Sequence, residues 1–508
     1  MAAPAVTLPE HLDVLIVGAG VSGIGLAHHL QQRHPQRTFA LLEARGALGG
    51  TWDLFRFPGI RSDSDLHTFG YAFKPWRDDR AIADGQSILA YLEETARERG
   101  IDELIRLHHR VVAASWSGAD ARWTVEVERT DTGERLRLTA GWLFSACGYY
   151  RYDRGFEPPF DGIERFGGRV VHPQHWPADL DHAGLRVLVI GSGATAVTMV
   201  PAMAQTAAHV TMLQRSPSYV LSLPSRDPLA NGLRRVIGEE RAYAITRRKN
   251  IWLQTGIYKL AKRRPRFMRR ALTALAARQL PSGYAVDPHF TPRYDPWDQR
   301  LCIVPDGDLF RAISKGRASV VTGTIDAFTE RGVRLASGEE LEADVIVTAT
   351  GLELLALGGM ALTVDGREVR VPETIAYKGT MLSGVPNFSF AVGYINASWT
   401  LKVDLVCAWL CRVLAHMDAT GSDTAVPVAA GPGMALRPFL DFAAGYVQRA
   451  LHVFPKQGEH PPWRVAMSYA EDVAMLRDGV VDDGVLHFSR RDAPVAAAAA
   501  DAPPAAVA

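Results

Sequence analysis

Twice in this chain a short apolar, β-branched run leads straight into a glycine-rich turn and then into an apolar helical stretch. The first unit is Leu12–Val17 (LDVLIV), Gly18-Ala19-Gly20-Val21-Ser22-Gly23, then Ile24 to Leu30. The second is RVLVI at 186–190, Gly191-Ser192-Gly193-Ala194-Thr195-Ala196, then a helix through Met203. A fully buried strand, a tight turn and a helix in that order predict the opening of a doubly wound parallel sheet, so the chain is expected to be α/β with two Rossmann-like dinucleotide-binding domains. Gly18 allows the tight turn, Gly20 lets the backbone approach a pyrophosphate, and Gly23 lets helix and strand pack closely. Ala196, in the third position of the second turn, is still small enough for that packing. Phosphates then rest at each helix N-terminus, where free N–H groups and the helix dipole favour an anion.

The two units differ where their second strands end. Phe39–Leu42 runs into Glu43, twenty residues after Gly23, where a carboxylate accepts hydrogen bonds from ribose hydroxyls and repels a 2′-phosphate. That site suits FAD or NAD. The strand His209–Leu213 ends instead in Gln214-Arg215-Ser216, with no acid. An arginine there meets a 2′-phosphate with charge-assisted hydrogen bonds. One site is therefore expected to hold FAD through Gly18, Gly20, Gly23 and Glu43, and the other NADPH through Gly191, Ser192, Gly193, Thr195 and Arg215.

The 508 residues suffice for two or three domains, and 47% hydrophobic with 22% charged residues is ordinary for a globular protein. A net charge of +1 offers no global attraction to phosphate and argues against a nucleic-acid partner. Cys147, Cys302, Cys407 and Cys411 form no CxxC pair and no zinc spacing, and Cys407 and Cys411 read as core residues on a helix. The N-terminus shows no secretory pattern and no apolar run is long enough to span a bilayer, so the expected location is cytoplasmic.

Between the two units lies FGGRVVHPQHWP, Phe166 to Pro177, with His172 four residues after Gly168 and Trp176-Pro177 at its end. After the first unit comes a loop rich in glycine and aromatic residues, GGTWDLFRFPGIRSDSD, Gly49 to Asp65. As bare residues, His172 would be ordinary filler and Asp63 a turn-capping carboxylate. Together the spacings FxGxxxHxxxWP and GGxWxxxxFPGxxxD resemble the signatures of the type I Baeyer–Villiger monooxygenases. The stretches PWDQRLC, IGSGATAVT, HPQHWP and NASWTLK most resemble that family's ethionamide monooxygenase branch, and the likeness covers about residues 11 to 490.

The resemblance implies an FAD- and NADPH-dependent monooxygenase that inserts one oxygen atom of O2 into ketones, giving esters or lactones through a peroxide at flavin C4a, and that oxidises thioethers to sulfoxides. It implies that Arg300 stands beside the flavin and stabilises the peroxide and the developing oxyanion. Asp63 would hold Arg300, Trp52 and Asp53 would belong to a loop over the flavin, and His172 would couple nicotinamide binding to domain motion. Gln299 departs from the family's lysine, which leaves more of the NADPH preference to Arg215. Three other readings share the architecture: an N- or S-oxygenase with little ketone activity, a disulfide reductase, and a non-catalytic NADPH-binding flavoprotein. Trp176-Pro177 disfavours the first and the lack of a suitable dithiol disfavours the second.

The expected organisation is an FAD-binding domain in two parts (11–150 and 354–490), a linker (151–184), an NADPH-binding domain in two parts (185–223 and 299–353), a helical insert (224–298) and a disordered tail (491–508). From Arg234 to Arg278 the insert carries fourteen Lys or Arg against Glu239 and Glu240, a local net of +12. These residues read as solvated helix faces, and a basic face of this kind also suits weak contact with anionic lipid or an acidic partner. By resemblance the insert would help wall the substrate pocket.

Overall fold

The computed structural model describes residues 9–429 and 433–491; the tail from 492 onward lies outside them. The first glycine unit opens a sheet in which Phe388–Phe390, Arg135–Ser145, His11–Val17, Phe39–Leu42 and Ile105–Arg106 lie side by side, all parallel. Alternation decides which way each side chain goes. Val14, Ile16, Leu41 and Phe144 enter a core under the helices, whereas Leu15, Val17 and Leu143 enter another on the opposite face. A continuous apolar run is what a strand covered on both faces requires. Helix Val21–Arg33 packs on the first core beside helix Trp399–Thr420, which buries Cys407 and Cys411 as free thiols.

Strand Arg135–Ser145 is long enough to serve two partners. Its first half closes an antiparallel meander with His109–Ser117 and Arg122–Arg129, and its last residues return to the parallel sheet. Ala361–Val364 adds to the meander's edge, so residues after 354 complete the sheet that the N-terminus begins.

The second unit builds a separate five-stranded parallel sheet in the order Ala318–Thr322, His209–Gln214, Arg186–Ile190, Val345–Thr348, Arg169–Val171. Residues 151–184, expected as a linker, are thus part of the framework. Arg169–Val171 forms this sheet's edge, and Tyr150–Gly155 pairs with Leu352–Leu354. Helices Pro228–Ile237, Glu239–Arg263 and Pro265–Ala277 occupy the interruption. The chain leaves for them after Val220–Leu223 and returns on Cys302–Pro305, which pairs with it in parallel. That return brings Gln299 and Arg300 to the mouth between the two sheets. Among the described residues, no helix is long and apolar enough to cross a membrane.

Candidate active site

One continuous cavity of about 1210 Å³ joins the two glycine turns, lined at one end by Gly18, Gly20 and Glu43 and at the other by Gly191, Gly193 and Arg215. The glycines divide by what demands them. Gly18 (φ +108°) and Gly191 (φ +143°) sit in the left-handed region, and a Cβ on them would lie 2.7 Å from the Ala146 oxygen and 2.3 Å from the Ala349 oxygen. A Cβ on Gly23 would come 2.0 Å from the Gly18 oxygen, so that glycine belongs to helix–strand packing. Gly193 is different: nothing lies within 4 Å of where its Cβ would be. Protein packing does not require glycine there, whereas close approach of a pyrophosphate does.

Glu43 is buried, and its carboxylate accepts hydrogen bonds from the Ala19 and Arg45 backbone N–H groups, each at 3.0 Å. Burial raises its pKa and the two N–H groups oppose that rise. Each oxygen keeps a lone pair free for a hydroxyl donor. Arg215 is exposed on the cavity wall, and among the described residues it has no ion-pair partner. Ser192 and Thr195 line the same end, with Ser192 Oγ donating to the Ser216 carbonyl at 2.8 Å. The cradle therefore fits a dinucleotide at each end.

The loop from Gly49 to Asp65 crosses from one site to the other. Trp52 lines the cavity and meets Phe69 edge-on, with ring centroids 5.6 Å apart. Phe55 and Phe57 sink into the core of the second domain with Val189, Met199 and Val200. At the loop's end, Asp63 takes Arg300 in a two-point pair, accepting from Nε at 2.7 Å and also from Nη2. Arg300 Nη1 donates to the Ile395 carbonyl at 2.5 Å. Burial alone would lower the guanidinium's pKa, but the Asp63 carboxylate outweighs it and holds Arg300 charged.

Three expectations need correction. Asp53 is not on the cavity wall; it is buried and ion-paired to Arg45 and Arg56, each at 2.5 Å, so it fastens the loop's first turn. His172 does not line the cavity either. Its Nε2 lies 3.3 Å from the Gly351 carbonyl, and its Nδ1 accepts from the Gln174 N–H at 3.2 Å. The ring packs so closely on Gly155 that a Cβ there would lie 1.9 Å from it. His172 thus reaches the cavity through the Gly351 turn, which does line it. Lastly, no residue of 224–298 walls this cavity; Arg247 of the insert binds the carbonyls of His67, Thr68 and Gly70 instead.

Other wall residues carried no local signal. Tyr149, Tyr150 and Tyr446 surround Arg300, and burial pushes all three phenols up, so they remain protonated. Tyr149 stacks on Trp399 at 5.2 Å. Arg449 sits 3.5 Å over the Phe156 ring. Tyr394, also on the wall, donates to Asp472 at 2.6 Å, and Asp472 forms a buried ion pair with Lys402 at 2.6 Å. Cys147 lines the cavity as a free thiol pushed up to about 11 by burial, with no second cysteine on the wall to form a dithiol.

Family models match residues 16–79 as an NAD(P)-binding Rossmann-like domain and 71–231 as flavin-binding monooxygenase-like. The FAD-containing monooxygenase EthA of Mycobacterium tuberculosis (strain ATCC 25618 / H37Rv) is 53% identical over 489 residues, covering 96% of this chain and all of that protein. The chain belongs to the FAD-containing monooxygenases. The EthA of Mycolicibacterium smegmatis (strain ATCC 700084 / mc(2)155) is 51% identical over 491 residues, covering 96% and 99%. Both bear out the expected kinship with the ethionamide monooxygenase branch. For this monooxygenase the fold also matches a solved steroid monooxygenase bound to NADP, with a TM-score of 0.75, 22% identity and coverage of 94% and 100%.

Proposed function

We propose that this monooxygenase converts ketones to esters or lactones and thioethers to sulfoxides, with FAD at the Glu43 end of the cavity and NADPH at the Arg215 end. The observation that carries the reading is the Asp63–Arg300 pair, a fixed positive charge held between the two dinucleotide cradles. FAD reduced by NADPH supplies the oxygen-activating chemistry when bound. Arg300 stabilises negative charge that develops on the attacking and carbonyl oxygens, and its two-point hold on Asp63 keeps it aimed without reorganisation. The protonated phenols of Tyr149, Tyr150 and Tyr446 are donors around the same spot. Phe55, Phe57 and Trp399 line the cavity with apolar surface that disfavours water there.

The test is mass analysis of products from purified protein with FAD, NADPH and O2, given linear, cyclic and aryl ketones beside aryl methyl thioethers. Esters or lactones one oxygen heavier than the ketones are expected. Sulfoxides without any ester would replace this reading with that of a sulfide oxygenase. Hydrogen peroxide as the sole product across the panel would favour the non-catalytic flavoprotein.

A further inference from the structure

Of the fourteen large apolar side chains left exposed among the described residues, nine fall between 224 and 298. Val236, Trp252 and Phe267 are 82%, 76% and 62% exposed. On helix Glu239–Arg263 the exposure follows a pattern. Ile245, Trp252 and Leu260 recur at helical spacing along one stripe, a span of about 22 Å at 1.5 Å per residue. Arg241, Arg248 and Lys259 form the adjacent stripe, and among the described residues none of them is ion-paired. The opposite side, with Tyr243 and Ala261, is buried, and Arg247 on it binds the backbone at 67–70 and Asp404. The helix is therefore fixed to the protein by one side and presents an apolar stripe edged with cations on the other.

A solvated face would carry polar side chains along that stripe. The cavity does not use it, because no residue of the insert lines the cavity. We propose that this face of the insert docks the enzyme on an anionic phospholipid bilayer. Nine of the fourteen Lys or Arg between 234 and 278 have no ion-pair partner among the described residues, and this surplus of positive charge complements such a surface. It opposes a second copy of the chain, whose like-charged face would be brought against it. An exposed tryptophan with leucine and isoleucine, flanked by arginine and lysine, is the composition of a helix lying in a membrane interface. The helix's C-terminal turn is tied to the site entrance through Lys262, whose Nζ lies 2.7 Å from Asp298, two residues before Arg300.

The full-length FAD-loaded protein should be sedimented with vesicles of phosphatidylcholine alone or with added phosphatidylglycerol, at low and high salt. Binding is expected to the phosphatidylglycerol vesicles only, and to fall as salt rises. Ile245→Glu/Trp252→Glu and Arg241→Gln/Arg248→Gln should each lower it by about tenfold or more while NADPH oxidation is unchanged. The proposal is overturned if the protein stays in the supernatant with phosphatidylglycerol at low salt, or if Ile245→Glu/Trp252→Glu sediments like the parent. It also fails if light scattering shows a dimer that this same variant dissociates, since a second copy would then cover the stripe.

Discussion

At the scale of single residues, the proposed reaction gives two arginines distinct duties that can be separated. Arg300 is locked to Asp63 and to the Ile395 carbonyl, so its charge is available only to what enters the cavity. Arg300→Ala should lower ester formation by about 10²-fold or more, as expected for loss of a preorganised charge. Reduction of the flavin by NADPH should survive, and single-turnover absorbance separates the two steps. Ester formation at the parent rate would remove Arg300 from the chemistry. Arg215 is uncommitted, and a charge-assisted contact contributes about 1.5–3 kcal/mol. Arg215→Ala should therefore raise the KM for NADPH by roughly 10- to 100-fold and leave that for NADH nearly unchanged. Equal effects on both cofactors would place the 2′-phosphate elsewhere. Both arginines were legible in the sequence, Arg215 from its place after a strand and Arg300 from resemblance. Tyr149, Tyr446 and Arg449 were not, because each reaches the wall from a segment without any repeating pattern.

At the scale of elements, the two glycine turns make a matched experiment. Gly191→Ala forces a side chain into a left-handed backbone and against the Ala349 oxygen, so it should lower Tm sharply. Gly193→Ala meets no protein atom and should leave Tm within a degree or two of the parent while weakening NADPH binding. Thermal melts with and without NADPH check both. An unchanged NADPH affinity in Gly193→Ala would mean that the pyrophosphate does not approach that Cα. The loop from Gly49 to Asp65 shows where element-level reading stops. Its composition marks it as irregular, yet only the fold shows that Phe55 and Phe57 are core residues of the other domain. The same limit explains Asp53 and His172. A motif identifies a residue that matters, but whether it touches the ligand or braces the wall depends on partners far away in sequence.

At the scale of the whole molecule, buried titratable groups set a pH limit on stability. His28, on helix Val21–Arg33, stacks on Phe73 at 3.6 Å and is pushed down to about 4, chiefly by burial and then by His29 and Arg99. The folded pKa is below the unfolded one, so the unfolded chain binds the extra proton. Stability from this group is complete above about 6.5 and is lost as pH falls toward 4. The loss amounts to roughly 3 kcal/mol at 1.36 kcal/mol per unit. His28→Gln should flatten that part of the profile of unfolding free energy against pH, and an unchanged slope would assign the acid sensitivity to other groups.

By itself, the sequence determined the α/β class, the two strand–turn–helix units and the contrast between Glu43 and Arg215. These are local: hydrophobic period, turn chemistry and a strand end are all set within about thirty residues. It also carried, by resemblance, the kinship that the relatives bear out. Tertiary structure alone decided that the loop from Gly49 to Asp65 bridges both domains, that the expected linker supplies an edge strand, and that the insert stands clear of the cavity. Periodicity shows that a helix has an apolar face, but burial depends on what the rest of the chain places against it. On the insert's outer stripe the described chain places nothing.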